Sequence, residues 1–230
     1  MDDGVWRTVR GVKVFIRDGQ NITDAWKEAK ERINKKILKK EDKIEFKQLG
    51  KKDIEEFQKA SDEIFSKLDE NSKFSIKHYT KLAYKSINDY CNGKSDGSEL
   101  FTTFEKDMSI KEMADNIDQS MNIYELKQDI ISFRGASGRH YDKFKIGDQF
   151  EETQFISTSL TKETPTAFLK KKKDPTFIEY KIPKGTKCIY FGKNTSAVKN
   201  EFELLLGKNI RYNVIDKKPG YMLLEVIISE

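Results

Sequence analysis

The sequence predicts an α+β fold in which a helical N-terminal lobe is followed by a set of short strands. Two observations support this class. Apolar residues recur at a helical period of about 3.6 between residues 44 and 120. After Glu125 the pattern changes to short apolar runs separated by turns rich in Gly and Pro. Because helices precede strands and do not alternate with them, repeated βαβ units are disfavoured.

The composition is that of a folded globular protein. The chain has 230 residues, of which 37% are hydrophobic and 11% aromatic, enough to build a core. We expect an N-terminal extension over residues 1–40 and a single large domain over residues 41–230. The formal net charge of +5 is small beside 81 charged groups (43 basic plus 38 acidic). It therefore does not indicate a nucleic-acid partner. We also expect a monomer.

Cysteine and histidine are scarce, and their spacing predicts no metal cofactor. Cys91 and Cys188 are far apart, and His78 and His140 form no metal-ligand pattern with them. The acidic N-terminus has no apolar signal core, and no stretch approaches the roughly 20 apolar residues of a membrane span. We therefore expect a soluble protein that is exported by a non-classical route or acts in a host cytoplasm.

The N-terminal extension is predicted to contain a hairpin and a basic helix. Residues 5–18 alternate, with Val12, Val14 and Ile16 two apart, which is typical of a short hairpin. Thr23 is predicted to cap a helix that continues through Ile37.

The helical lobe is predicted to hold several amphipathic helices. The first buries Ile54, Phe57, Ile64, Phe65 and Leu68. Residues 71–73 are predicted to break the chain, and Ser75 to cap the next helix. That helix should point Tyr79, Leu82, Ala83, Ile87 and Tyr90 inward and end at Asn92–Gly93. A further helical segment should follow through Met108, Met113 and Ile117.

The C-terminal half is predicted to form strands. They are assigned to residues 129–133, 149–160, 177–182, 188–191, 203–206, 210–215 and 221–228. Residues 161–173 should form a loop and a short helix. Turns are predicted at residues 135–138, 183–185, 207–209 and 218–220.

Three groups of polar residues accompany these strands. Arg134, at the end of the first predicted strand, presents a fork of donors that suits phosphate, and Gly135 allows a close backbone approach. Ser157 and Ser159 should face one side of a strand and Thr158 the other, where hydroxyls can position a ribose. Taken singly, both groups are also typical of an ordinary turn and an ordinary strand.

The third group is a pair of carboxylates, Glu201 and Glu203. At a spacing of two they should project side by side at the start of a buried strand. Such a pair suits stabilising a developing cation or orienting a basic substrate. By itself it is more typical of an ordinary solvent-facing strand end.

In their order along the chain, the three groups resemble the Arg, Ser-Thr-Ser and Glu-x-Glu signature of the mono-ADP-ribosyltransferase toxin family. Residues 79–93 and 182–187 also resemble segments of the clostridial exoenzymes, and the resemblance covers residues 44–230. It implies two small, perpendicular, antiparallel or mixed sheets around a cleft for NAD, the ADP-ribose donor.

The resemblance also implies roles for single residues. Arg134 would hold NAD near its phosphates, within an NAD-binding set that also contains Tyr79, Gly135, Ser157, Thr158, Ser159 and Phe168. Phe168 would stack on nicotinamide. Ser157 would fix the nicotinamide ribose, and Glu203 would be the catalytic carboxylate. The family usually has an arginine shortly after the Phe168 position, where this chain has Lys170–Lys173. Which of these lysines contacts phosphate, if any, stays open.

For the acceptor, the resemblance implies a protein arginine, in actin or another host protein. Glu201 would pair with the incoming guanidinium and help remove its proton. Phe202, Tyr190 and Phe191 would contact the acceptor. The predicted function is transfer of ADP-ribose from NAD to that arginine by a bacterial or phage effector. Two alternatives remain: an NAD glycohydrolase that uses water as acceptor, and a catalytically silent interaction module of the same fold.

Overall fold

The structure is a computed structural model of the chain, and it describes residues 4–9, 12–25, 27–29, 46–170, 172–194 and 202–228. The chain divides into two compact units, Met1–Glu45 and Phe46–Glu230. The predicted boundary after residue 40 falls outside the described residues, and so does the predicted continuation of the basic helix to Ile37.

The first unit contains the predicted hairpin. Its strands are β1 (Gly4–Val9) and β2 (Val12–Arg17), paired antiparallel. Residues 22–25 and 27–29 are helical. Asn21 caps this helix, because its side-chain oxygen accepts a hydrogen bond from the backbone N of Thr23 at 2.7 Å. The prediction that Thr23 is the cap is therefore wrong by two residues.

The second unit begins with a helical lobe. Its helices are α1 (Lys51–Lys67), α2 (Glu70–His78), a single π-helical turn (Tyr79–Ala83), α3 (Tyr84–Cys91) and α4 (Ile110–Ser120). Asp69 caps α2 by accepting a hydrogen bond from the backbone N of Ser72 at 2.8 Å. The predicted break at residues 71–73 and the predicted cap at Ser75 are thus wrong, because both lie inside α2.

The π-helical turn changes which side chains face inward. Tyr79, Ala83 and Ile87 are buried as predicted, but Leu82 is 75% exposed. A π-helical turn contains one more residue than an α-helical turn, so the inward face moves from Leu82 to Ala83. The helix ends where predicted, before Gly93, whose φ of 69° is the left-handed conformation of a helix C-terminus.

A small hairpin of β4 (Leu100–Thr102) and β5 (Asp107–Ser109) precedes α4, where the sequence predicted loop and helix. Met108 therefore lies on a strand. Ser109 and Glu112 form a reciprocal capping box at the start of α4, which sets where that helix begins.

The remaining strands join in one sheet. They are β3 (Lys47–Gln48), β6 (Ile130–Ser137), β7 (Gln149–Glu152), β8 (Ile156–Ser159), β9 (Pro175–Ile182), β10 (Cys188–Tyr190), β11 (Glu203–Leu206), β12 (Ile210–Lys218) and β13 (Tyr221–Ile227). Their order is β10-β11-β8-β6-β9-β13-β12-β7, and β3 pairs with β6. Two short helices, α5 (Glu163–Leu169) and a 3-10 turn (Gly138–His140), lie between strands.

This sheet is mixed and has two parts. The pairs β13–β9 and β3–β6 are parallel, and the other pairs are antiparallel. The part made of β10, β11 and β8 joins the rest through one residue pair, Phe133 with Ser159. The α+β class is confirmed, and the two parts meet at the strands that carry the predicted site.

Strand β6 is longer than predicted. It continues through Arg134 and Gly135, which pair with Ile178 and Phe177 of β9. Arg134 is therefore inside the strand and not at its end, and the predicted turn at residues 135–138 is wrong except for Gly138. Strand β11 begins at Glu203, as predicted.

The second unit has two hydrophobic cores, one on each face of β10 and β11. Leu204 and Leu206 belong to the core that also contains residues of β6, β9, β12 and β13, whereas Leu205 belongs to the core of the helical lobe. These strands are buried on both faces, so they read in the sequence as unbroken apolar runs. Among the described residues, no helix is long and apolar enough to cross a membrane.

Candidate active site

A cavity of about 310 Å³ opens where the two parts of the sheet meet. It is lined by eight residues of the predicted site: Tyr79, Arg134, Gly135, Ser157, Thr158, Ser159, Phe168 and Glu203. These residues come from the π-helical turn, β6, β8, α5 and β11, which are separated widely in sequence. The fold therefore brings the predicted NAD-binding residues and the predicted catalytic carboxylate to one place.

Strand pairing explains this convergence. Glu203, the first residue of β11, pairs with Ser159 of β8, and Ser159 pairs in turn with Phe133 of β6. The register row across the sheet junction is thus Glu203, Ser159 and Phe133, and the next residue of β6, Arg134, lines the same cavity as Ser159 and Glu203.

Within the described residues, the Arg134 side chain makes one hydrogen bond. Its Nη1 donates a hydrogen bond to the carbonyl oxygen of Ser157. Its Nε is buried and has no hydrogen-bond partner within the described part of the chain. A buried guanidinium with an unused donor is suited to an anion, and its planar fork matches phosphate oxygens. This arrangement fits the pyrophosphate of NAD.

Tyr79 provides a neutral donor at the floor of the cavity. Burial raises the pKa of its phenol to about 12, while side-chain hydrogen bonds with Asn88 and Ser157 act in the opposite direction. The negative charge of Glu203 raises the pKa of Tyr79 further. The phenol therefore keeps its proton at neutral pH, close to both Ser157 and Glu203.

Asn88 is a site residue that the sequence analysis missed. Its Nδ2 donates to the phenol oxygen of Tyr79 at 3.4 Å, and its Oδ1 is buried without a partner in the described structure. In a regular α-helix, residues nine apart point in directions about 180° apart. The additional residue of the π-helical turn removes about 100° of this difference. Only knowledge of that turn would have placed Asn88 beside Tyr79.

Gly135 lines the cavity, where its approach to the donor stays a prediction, and the structure shows a second role in packing. A Cβ atom at this position would lie 2.7 Å from the carbonyl oxygen of Pro165 and 3.1 Å from Cγ of Leu169. The missing side chain therefore lets α5 pack directly on β6. Helix α5 carries Phe168, which is 49% exposed and lines the cavity.

The lysine run after α5 contributes one residue to the cavity lining, Lys172. Lys171 lies outside the described residues. Lys172 is accordingly the candidate in this run for contact with phosphate.

The acceptor side of the site is described in part. Glu201 and residues 195–200 lie outside the described residues, so the side-by-side arrangement of Glu201 and Glu203 stays a prediction. Phe202 has a φ of 47°, a left-handed conformation that is rare for a bulky side chain. Tyr190 and Phe191 are only 4% and 1% exposed. Their rings belong to the two cores, and Tyr190 also lines a second cavity, so their contact with an acceptor stays a prediction.

No group of three or more His, Cys, Asp or Glu side chains is placed to hold a metal ion within the described ranges. The side chains that are present instead fit a dinucleotide: a guanidinium for phosphate, hydroxyls and a phenol for ribose, a carboxylate for a sugar that gains positive charge, and an exposed aromatic ring for stacking.

Comparison with known proteins identifies a family and a fold. A family model described as ADP-ribosyltransferase exoenzyme matches residues 24–222. NAD(+)--arginine ADP-ribosyltransferase EFV of Enterococcus faecalis (strain ATCC 700802 / V583) is 34% identical over 143 residues, which is 61% of this chain and 28% of that protein. The chain thus spans little more than a quarter of the length of this relative.

Solved structures show the same fold. Plx2a, a toxin from Paenibacillus larvae, is 23% identical with a TM-score of 0.58, and the match covers 76% of this chain and 97% of that chain. The C3 exoenzyme of Clostridium limosum is 21% identical with a TM-score of 0.60, covering 81% and 98%. Vis from Vibrio splendidus, solved in complex with agmatine, is 16% identical with a TM-score of 0.58, covering 79% and 87%. The ADP-ribosyltransferase fold expected from the sequence is therefore confirmed.

Proposed function

The chain belongs to the ADP-ribosyltransferase exoenzyme family, and on that premise we propose that it transfers one ADP-ribose unit from NAD to an arginine side chain of a protein. The observation that carries the proposal is that Arg134, Ser159 and Glu203, from three adjacent strands, line one cavity together with Tyr79 and Ser157. Arginine as the acceptor is supported by the activity in the name of the Enterococcus relative and by Glu201 in the sequence.

Arg134 binds the donor through its phosphates, with Nη1 fixed to β8 and Nε free for an oxygen of the pyrophosphate. Ser157, Tyr79 and Asn88 supply hydroxyl and amide groups for the nicotinamide ribose. Phe168 covers the nicotinamide ring from α5. The donor is thus held at both ends, with the bond to be broken near Glu203.

The chemistry begins with the bond between the ribose C1′ and the nicotinamide nitrogen. As this bond breaks, its electron pair leaves with neutral nicotinamide and positive charge develops on the sugar. The carboxylate of Glu203 stabilises that charge, because opposite charges attract strongly in a partly buried site. Tyr79 stays protonated and can donate a hydrogen bond in the cavity that it shares with Ser157 and Glu203.

A guanidinium nitrogen of the acceptor arginine then forms a bond to C1′ and loses a proton. Glu201 accepts that proton in this proposal, after pairing with the guanidinium. The products are nicotinamide, ADP-ribosyl-arginine and one proton. With water as the acceptor, the same site would release free ADP-ribose, and this reaction does not need Glu201.

The first test is Glu203→Gln, assayed for nicotinamide release and for transfer of labelled ADP-ribose to agmatine. Both rates should fall by about 10²–10³-fold, because the neutral amide no longer stabilises the charged sugar. NAD affinity, measured by calorimetry, should persist through Arg134 and shows that the variant is folded. Full hydrolysis in this variant would remove Glu203 from the catalytic role.

The second test is Glu201→Gln, which separates transfer from hydrolysis. Transfer to agmatine should be lost while NAD hydrolysis is retained, because only the guanidinium acceptor uses this carboxylate. An equal loss of both activities contradicts the role given to Glu201. A wild-type protein that hydrolyses NAD but modifies neither agmatine nor any lysate protein is a glycohydrolase, and one without NAD turnover is a silent module.

A further inference from the structure

A second cavity, of about 520 Å³, adjoins the site at the ends of β8 and β11. Ser159 and Glu203 line the first cavity, whereas the adjacent residues Leu160 and Phe202 line the second. The backbone N of Leu160 donates a hydrogen bond to the carbonyl oxygen of Phe202 at 3.0 Å, so these two residues form a connected wall. The two cavities are therefore neighbours separated by the same pair of strand ends.

The second cavity is lined by both apolar and charged side chains. Its apolar lining consists of Leu49, Ile54, Leu160, Tyr190 and Phe202. Two lysines and two glutamates, Lys51, Lys193, Glu55 and Glu163, also contribute to its lining. Among the described lining residues, the two charges of each sign give no net charge, and Gln48, Gln58 and Thr161 add neutral polar groups. Most of the exposed surface of this lining is nevertheless apolar, which is typical of a site that receives an apolar ligand group.

Several contacts show that the cavity is preformed. Tyr190 packs edge-on against Phe57 of α1, with ring centroids 5.9 Å apart. Gln58 of α1 accepts a hydrogen bond from the backbone N of Lys193 at 2.9 Å, which joins α1 to the chain after β10. These contacts fix the described wall on the side of α1, and a wall that is already in place binds with a smaller ordering cost than one that must close on its ligand.

We propose that this cavity is an acceptor subsite, which receives an apolar side chain of the acceptor protein one to three residues from the modified arginine. This inference rests on the proposed function. The arginine must reach the sugar beside Glu203, so the main chain of the acceptor has to pass close to Phe202. Consecutive Cα atoms are about 3.8 Å apart, so neighbouring side chains come within reach of the second cavity. Burial of one large apolar side chain there would fix the acceptor and supply specificity.

The test compares agmatine with short acetylated peptides that contain one arginine and one leucine, moved from three positions before the arginine to three positions after it. A serine peptide is the reference at each position. Ile54→Trp fills the cavity from α1, and Ile54→Leu is the matched control. Thr161→Leu fills it from the other side, as a second variant in case Ile54→Trp does not fold.

In the wild type, one leucine position should raise kcat/KM about tenfold or more above its serine reference, the scale of discrimination that an apolar pocket gives. The ratio of peptide to agmatine turnover should lose this gain in both filled variants and keep it in Ile54→Leu. Absence of a leucine preference, or its persistence in both filled variants, overturns the subsite while leaving the proposed function in place. A wild type that transfers ADP-ribose to neither agmatine, nor any peptide, nor any lysate protein overturns both.

Discussion

Arg134 has to do two things at once at the residue scale. One nitrogen holds the backbone of β8, while another donor is left for the ligand. Only a guanidinium can do both, because its donors are fixed in a planar fork. The identity of this residue is therefore set by geometry as well as by charge.

Arg134→Lys should raise the KM for NAD about tenfold or more, because an ammonium group cannot contact both β8 and phosphate from the same place. We expect a smaller change in kcat, since Glu203 is untouched. Steady-state nicotinamide release against NAD concentration measures the two constants. Lys172→Ala is the comparison: if it has the larger effect on KM, the phosphate contact belongs to Lys172 and not to Arg134.

Single residues were predictable through their joint order along the chain, because each polar group alone is also typical of an ordinary turn or strand. Arg134, Ser157 and Glu203 were predicted from the resemblance that this order carries, and the structure brings them to one cavity. Asn88 was missed, because its position depends on a π-helical turn that no local pattern of apolar residues shows. The conformation of Phe202 was also missed, since a bulky residue with positive φ runs against local preference.

At the scale of elements, the packing of α5 on β6 positions the cover of the nicotinamide site. The helix is short and has one buried residue, Pro165. Its close approach to the strand depends on the hydrogen at Gly135. The sequence predicted a close approach of the ligand at this glycine, which stays a prediction. It did not predict the contact with α5, because helix–strand contacts are not visible in a local pattern.

Gly135→Ala should displace α5, because the new methyl group would overlap the carbonyl oxygen of Pro165. Overpacking of this kind costs about 1–3 kcal/mol of unfolding free energy. We expect a lower Tm and a higher KM for NAD, through the shift of Phe168. Gly207→Ala is the matched control, since its Cβ would meet nothing closer than the Met121 Sδ at 3.4 Å. Equal effects of the two substitutions would argue against the packing role of Gly135.

At the scale of the whole molecule, we expect acid stability to depend on His78, a partly buried histidine that precedes Tyr79 of the site. His78 packs against Phe74 and Phe101, with ring centroids 4.4 Å and 5.0 Å away. Burial, together with the positive charge of Lys77, holds the pKa of His78 below its ordinary value, while Glu105 acts in the opposite direction. The unfolded chain therefore binds a proton at this histidine more readily than the folded chain does.

The sign of the pH effect follows from linkage. Stability associated with neutral His78 is present above the unfolded pKa and is lost as the pH falls through the folded pKa. Between pH 7.5 and pH 5, the Tm of the wild type should fall more than that of His78→Phe. The carboxylates whose pKa values are lowered, such as Asp69, titrate below this range. Parallel Tm curves for the two proteins contradict the assignment, and His140→Gln controls for the second histidine.

The fold class was predictable from the order of the elements, because a change from a helical period to short apolar runs survives errors of several residues in each boundary. The junction between the two parts of the sheet was not. It depends on the single pair of Phe133 with Ser159, a long-range contact with no counterpart in local sequence. The β4–β5 hairpin was missed for the opposite reason, since strands of three residues are too short to show a period.

The double-sided burial of β11 has a mechanical consequence for Glu203. Leu204, Leu205 and Leu206 are fully buried and belong alternately to the two cores. Local opening of this strand would disrupt both cores, so its amide hydrogens should exchange only when the whole unit unfolds. The carboxylate of Glu203 is therefore attached to a strand that should resist local opening. Phe168, on a short surface helix, can yield as ligands enter and leave.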